Sequence, residues 1–131
     1  MRSHTLWASF RYAFAGLGYA LHTQRNTRIH LAAAAAVVIV GLWLRLSSIQ
    51  WAVLVLTIGF VLVGEMLNTV AETLVDLINP GYHPLARVIK DVTAGAVLLT
   101  AIAAVIVGLL VLGPPLWERL SRALTLPTAG P

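Results

Sequence analysis

The sequence has no cysteine and very little charge. Of its 131 residues, 11% are charged and 59% are hydrophobic, whereas a soluble domain carries about 25% charged residues. Without cysteine, neither a disulfide framework nor a thiolate metal site can form. The net charge of +4 does not indicate a nucleic-acid partner, because the basic residues flank apolar segments and never form a Lys/Arg run. The composition therefore predicts one all-α membrane domain over residues 1–131.

Three apolar segments are long enough to be predicted as membrane-spanning helices. The hydrocarbon core of a bilayer is about 30 Å thick and needs about 20 helical residues. The predicted spans cover residues 31–46, 51–78 and 92–112. The sequence Gly113-Pro114-Pro115 is expected to stop the third helix, which leaves residues 113–131 as a C-terminal tail.

The N-terminal segment, residues 1–29, has a different pattern. Its large apolar residues recur every three or four positions, which is typical of an amphipathic helix lying in the membrane interface. They are Trp7, Phe10, Phe14, Leu17 and Leu21. One interpretation is a simple surface anchor. The other is a lid that contributes the polar triplet Gln24-Arg25-Asn26 to a site.

The distribution of basic residues predicts the orientation of the spans. Six lie before the first span or between the second and third, and three lie on the other side: Arg2, Arg11, Arg25, Arg28, Arg87 and Lys90 against Arg45, Arg119 and Arg122. The positive-inside rule places the N-terminus and the loop over residues 79–91 in the cytoplasm. We expect the protein in a bacterial inner membrane.

The second span contains a stripe of polar residues that needs an explanation. No charge occurs from Trp51 to Gly64, and then Glu65, Asn68, Glu72 and Asp76 follow at helical spacing. At about 100° per residue these four project within roughly 80° of one another. Ionisable groups inside a membrane are costly and usually face a protein interior or a wet cavity. The stripe therefore predicts a site, which the orientation places between the apolar layer and the cytoplasm.

The loop after the second span leads to further polar residues. Pro80-Gly81 predicts a turn, and Lys90 and Asp91 come just before the third span. They are either ordinary interfacial charges or, placed opposite Glu72 and Asp76, part of a polyphosphate and metal locus. Mg²⁺ usually takes one or two carboxylates from protein when phosphate oxygens complete its shell. No Walker loop or kinase-type glycine-rich motif is present.

Taken together, these residues resemble the prokaryotic diacylglycerol kinase family, which includes the undecaprenol kinases of Gram-positive bacteria. The resemblance lies in the motif Glu65-x-x-Asn68-Thr-x-x-Glu72-x-x-x-Asp76, in Tyr82-His83, and in Lys90-Asp91-x-x-Ala-Gly-Ala-Val. It implies a small integral membrane kinase with a surface helix and three membrane helices. It also implies a homotrimer with active sites between subunits, and MgATP as the phosphate donor for a lipid hydroxyl, either undecaprenol or diacylglycerol.

The resemblance also implies roles for individual residues. Glu65 is expected to be the general base, Asn68 a substrate-binding neighbour and Glu72 a metal ligand. The nucleotide-contacting set is expected to be Tyr12, Asp76, Tyr82, His83, Lys90 and Asp91. One departure concerns the second metal ligand, since members usually carry a glutamate where this chain has Gln24.

Two other functions remain open at this level. The stripe could line a proton or cation path in a small ion-conducting assembly, although a pore has no need of Asp76 or of Lys90-Asp91. A structural or regulatory membrane subunit gains support only from Gln24, which has lost the charge expected at that position.

Overall fold

The computed structural model describes residues 5–78, 81 and 83–125. Within them the chain forms four helices: α1 (Leu6–Thr23), α2 (Arg25–Leu44), α3 (Ser48–Ile78) and α4 (Pro84–Thr125). By length and composition, α2, α3 and α4 can each cross a membrane. The prediction of an all-helical protein with three spanning helices is confirmed.

The first helix boundary differs from the prediction. The segment 1–29 was expected to form one surface helix, but α1 ends at Thr23 and α2 begins at Arg25, well before residue 31. Hydropathy marks where a span enters the apolar layer, and α2 extends beyond that point. Gln24 separates the two helices with φ −103° and ψ 117°. The large apolar side chains of α1, including Trp7, are exposed on the chain, so its place in the interface stays a prediction.

The turn between α2 and α3 is built from backbone and side-chain caps. Arg45 adopts a left-handed conformation with φ 55°, and the Leu46 N–H donates to the Gly41 carbonyl in the pattern of a Schellman motif. Ser47 and Gln50 then form a capping box. The Ser47 N–H donates to Gln50 Oε1 at 2.9 Å, and the Gln50 N–H donates to Ser47 Oγ at 3.4 Å.

The fourth helix continues through Pro114-Pro115, so its predicted end at residue 112 is wrong. Proline lacks an N–H and leaves the carbonyl four residues earlier without its helical partner. For Pro115 that carbonyl belongs to Val111, and Gln50 Nε2 donates a long hydrogen bond to it at 3.5 Å. Neighbouring side chains commonly satisfy such freed carbonyls in membrane helices. This partner lies on another helix and could not be read from the local sequence.

The α3–α4 pair forms the centre of the bundle, and α2 packs against both. Among the described residues the buried apolar side chains are few, and those on α3 and α4 are Leu54, Val61, Val75 and Val97. Many other apolar side chains point outward, as expected for a surface that contacts lipid or other subunits. At 1.5 Å per residue α4 is about 63 Å long, so its ends extend beyond a 30 Å hydrocarbon layer.

Candidate active site

The most deeply buried polar side chain is Glu65, which lies on α3 and is 1% exposed. His30 of α2 is its neighbour, with Nε2 3.1 Å from Glu65 Oε1. The two atoms are close but are not aligned as a directed hydrogen bond, and no other described residue donates to Oε1. A carboxylate in such a place must be compensated, because burying an unpaired charge is costly. His30 is the group in position to do so.

Two turns further along α3, the Glu72 carboxylate accepts hydrogen bonds from two amide groups. Asn68 Nδ2 donates to Glu72 Oε1 at 3.1 Å, and Gln24 Nε2 donates to Glu72 Oε2 at 3.1 Å. The hydrogen bond from Gln24 depends on the break between α1 and α2. At this break the backbone of Gln24 is not helical, and its side chain reaches Glu72 on α3. The structure therefore brings together Gln24, Asn68 and Glu72, and their roles as metal and substrate ligands stay predictions.

Several oxygen atoms near this point are buried without a hydrogen-bonding partner in the described part of the chain. They are Glu65 Oε1, Asn68 Oδ1 and Thr27 Oγ1. By contrast, Thr69 is satisfied within its own helix, since its hydroxyl donates to the Glu65 carbonyl at 2.9 Å. Buried polar groups are rarely left unpartnered in native proteins. These oxygens are therefore candidates for contact with a ligand, and Glu65 Oε1 also has His30 close by.

The exposed end of the stripe pairs with α4. Lys90 Nζ donates to Asp76 Oδ1 at 2.6 Å, and both side chains are substantially exposed. An exposed ion pair contributes only about 0–1 kcal/mol to stability, so stability does not explain why these two charges meet. The predicted juxtaposition of Asp76 and Lys90 is present.

The remaining predicted nucleotide contacts are not joined to the stripe in the same way. Asp91 lies 3.7 Å from Arg87 on the exposed side of α4. His83 lies directly before that helix, and its Nδ1 accepts the Leu85 N–H at 3.2 Å. Tyr12 of α1 is exposed, with the Arg11 guanidinium 5.3 Å from its ring centroid. Tyr82 lies outside the described residues.

A cavity of about 500 Å³ lies beside His30. It is lined by α2, α3 and α4, and its lining is almost entirely apolar. Thr57 is the other lining residue with a polar side chain, and its hydroxyl donates to the Val53 carbonyl of its own helix at 2.8 Å. His30 therefore separates an apolar cavity from the buried carboxylate of Glu65.

Sequence reasoning missed His30 and Thr27 as site residues. Both lie in the first turns of α2, three residues apart and on one face of the helix. The signal was present as a polar run, Arg25 to His30, directly before an alanine-rich span. Because residues 25–29 were assigned to the surface helix and the span was expected to begin at residue 31, the closeness of this run to α3 was not foreseen.

Comparisons with known proteins identify relatives of this chain. The family model for prokaryotic diacylglycerol kinase matches residues 11–112. A diacylglycerol kinase from Synechocystis sp. is 54% identical over 85% of this chain and 64% of its own length. The undecaprenol kinase of Bacillus subtilis is 44% identical over 82% of this chain and 88% of its own. The diacylglycerol kinase of Escherichia coli is 33% identical over 72% and 78%.

The match with the Synechocystis protein leaves about a third of that relative unaligned, whereas the Bacillus protein is covered almost throughout. The names of these relatives give two lipids, diacylglycerol and undecaprenol. The family model covers more than three quarters of this chain, including the whole polar stripe of α3. The chain belongs to the prokaryotic diacylglycerol kinase family.

Proposed function

We propose that this protein is an ATP-dependent lipid kinase that transfers the γ-phosphate to the hydroxyl of undecaprenol or diacylglycerol. The observation that carries the proposal is that the polar side chains of α3 become more exposed along the helix. Glu65 is buried, Glu72 is half-buried, and Asp76 is exposed and paired with Lys90. A reaction between a membrane lipid and a water-soluble nucleotide needs one end of its site in each environment.

In this proposal Glu65 accepts the proton of the lipid hydroxyl. A general base must lie within hydrogen-bonding reach of the proton it removes. Among the described residues only His30 brings a donor near the Glu65 carboxylate, at Oε1, which leaves the other carboxylate oxygen to the lipid hydroxyl. Asn68 presents a second unpartnered oxygen beside it. Lys90 and Asp76 lie where the polyphosphate would enter, and Lys90 would supply positive charge to it.

The residues present fit a magnesium ion that arrives with the nucleotide. Among the described residues no group of three or more His, Cys, Asp or Glu side chains forms a metal site. Mg²⁺ needs only one or two protein carboxylates when phosphate oxygens supply the rest. Glu72 would hold it, with the Gln24 and Asn68 carbonyl oxygens as neutral ligands once their amides turn. Bound there, the metal would neutralise charge developing on the phosphates.

We further propose a homotrimer in a bacterial inner membrane, with the N-terminus and the α3–α4 loop in the cytoplasm and α1 in the membrane interface. Support comes from the exposed apolar surfaces of α1, α3 and α4 and from the distribution of basic residues. Light scattering of the detergent-solubilised protein, corrected for bound detergent, measures the subunit number directly. A monomeric mass in an active preparation would contradict the trimer.

A second candidate is a family member with weak or no catalysis and a structural role. One observation favours it. Gln24 Nε2 donates a hydrogen bond to Glu72, at a position where the resemblance implies a second metal-binding carboxylate. The two candidates differ in one measurement. Transfer of labelled phosphate from ATP should be tested with undecaprenol and diacylglycerol side by side, in mixed micelles. No transfer to either lipid from folded protein would favour the structural role.

A further inference from the structure

We propose that His30 is a positioning residue for the Glu65 carboxylate. In this assignment its Nε2–H donates to Glu65 Oε1 in the reacting complex and holds the carboxylate so that the second oxygen meets the lipid hydroxyl. The inference rests on the proposed function, in which Glu65 is the general base.

The first argument is geometric. His30 Nε2 is 3.1 Å from Glu65 Oε1, and the two residues belong to different helices, so the contact fixes α2 against α3 at the base itself. The atoms are not yet aligned as a directed hydrogen bond. Catalytic hydrogen bonds are often loose in a resting enzyme and tighten in the complex with substrate.

The second argument concerns the surroundings of the carboxylate. Glu65 is 1% exposed, and its chain neighbours on α3 are apolar or small. A catalytic base that lacks a third group to orient it can rotate away from the substrate, and bases are commonly held by such a group. Among the described residues, His30 alone brings a charged or ring N–H group to this carboxylate.

The third argument is that His30 touches two environments at once. One edge of its ring is against Glu65, and the side chain also lines the apolar cavity between α2, α3 and α4. Thr27, three residues earlier, is buried on the same face of α2 with its hydroxyl unpartnered. The first turns of α2 therefore bury two polar groups, and His30 is the one that contacts α3 at Glu65.

The kinetic test compares three variants of the full-length protein. His30→Leu removes the donor and should lower kcat roughly tenfold to a hundredfold, less than loss of the base itself, with KM for ATP unchanged. His30→Gln retains an N–H donor and should recover most of that loss. Thr57→Val is the control, because it removes the other polar side chain of the cavity, whose hydroxyl is already satisfied. It should leave kcat unchanged.

A second measurement tests the contact without any turnover. Histidine side chains labelled with ¹⁵N are observed by NMR in detergent micelles, and the signal missing from His30→Leu identifies His30. Glu65→Gln should shift that signal, whereas Glu118→Gln, at an exposed carboxylate far along α4, should not. An unshifted signal, or wild-type kcat in His30→Leu, would overturn the proposal. Equal loss of kcat in His30→Leu and His30→Gln would also overturn it, since a donor would then not be what matters.

These outcomes are distinguishable from failure of the proposed function. If the wild-type protein transfers no phosphate to either lipid, the kinase proposal falls, and the catalytic role of His30 falls with it. If the wild-type protein is active and only the His30 predictions fail, the kinase proposal stands and His30 is merely a packing residue.

Discussion

The two ends of the α2–α3–α4 bundle use polar residues differently. At the turn end, where α2 joins α3 and α4 runs past, Ser47 and Gln50 cap each other, and Gln50 also serves the Val111 carbonyl. At the site end, around Glu65 and Asn68, buried oxygens have no partner in the described structure.

The difference separates polar groups that build the fold from those available for chemistry. An unsatisfied buried polar group costs about 1–3 kcal/mol, and a fold has no reason to retain one unless a ligand uses it. The polar groups of Ser47 and Gln50 at the turn end form helix caps and a hydrogen bond to a carbonyl freed by proline. We therefore expect changes at the site end to alter turnover with little effect on stability, and changes at the turn end to do the reverse.

The largest expected effect is that of Glu65→Gln. The amide keeps the shape of the side chain but cannot accept the hydroxyl proton, so kcat should fall by about a hundredfold or more. Labelled phosphate transfer in mixed micelles measures it, with thermal unfolding in detergent measured alongside. The matched control is Glu118→Gln, which changes an exposed carboxylate 3.4 Å from Arg122 Nη2. Near-normal turnover in folded Glu65→Gln protein would show that Glu65 is not the general base, and the site end would then not be distinguished by its chemistry.

The next effect concerns the exposed end of the stripe. Lys90→Ala removes the cation beside Asp76, and a charge-assisted contact worth about 1.5–3 kcal/mol corresponds to roughly tenfold or more in affinity. Apparent ATP affinity should fall by that factor, while apparent lipid affinity stays the same. Direct nucleotide binding to Lys90→Ala, Glu65→Gln and the wild-type protein decides the matter. If Glu65→Gln lost ATP binding as completely as Lys90→Ala, the division of the site by depth would be wrong.

A smaller effect is expected at Gln24. Gln24→Glu places a second carboxylate against Glu72, where an amide now donates. Like charges disfavour one another, so this variant should be less stable without Mg²⁺ and should gain more from adding it. The Mg²⁺ concentration for half-maximal activity should fall several-fold, because hard oxygen anions bind the metal more tightly than a neutral amide. An unchanged midpoint would show that position 24 is not a metal ligand.

The fold could largely be predicted from hydropathy, because three long apolar runs in a membrane allow little besides helices. The ends of the helices could not. Local rules predict that a helix stops at Pro114-Pro115. In the structure the helix continues, and Gln50, more than 60 residues away along the chain, donates a hydrogen bond to the Val111 carbonyl. Sequence rules for helix ends use only neighbouring residues, whereas the donor to the freed Val111 carbonyl comes from another helix.

The same division applies to the site. The stripe on α3 was readable, because one helix with a fixed period decides which residues share a face. The partners of the stripe come from other helices. Lys90 was anticipated from a short loop, whereas His30 fell between the surface helix expected over residues 1–29 and the span expected to begin at residue 31. The break at Gln24 places it differently, and no local signal in the sequence fixes that break.

The smallest effect on turnover is expected at the turn end, where Gly41→Ala should instead reduce stability. A Cβ on Gly41 would lie 2.9 Å from the Trp51 Cη2 atom and 3.1 Å from Leu46 Cδ1. The Trp51 ring, at the start of α3, cannot move aside as easily as the end of a flexible side chain. Overpacking of this kind costs about 1–3 kcal/mol. The helix-propensity gain of alanine over glycine, about 0.5–1 kcal/mol, is smaller, so the net change should be destabilising.

Gly59→Ala provides the matched control for that substitution. Its Cβ would meet no atom within 4 Å, and Gly59 lies in α3 midway between the two ends. Only the propensity gain then applies, and its melting temperature in detergent should equal or exceed that of the wild-type protein. Gly41→Ala should melt lower while its kcat, measured below the transition, stays at the wild-type value. A lowered kcat in folded Gly41→Ala protein would show that the turn end is coupled to the chemistry, and the separation between the two ends of the bundle would not hold.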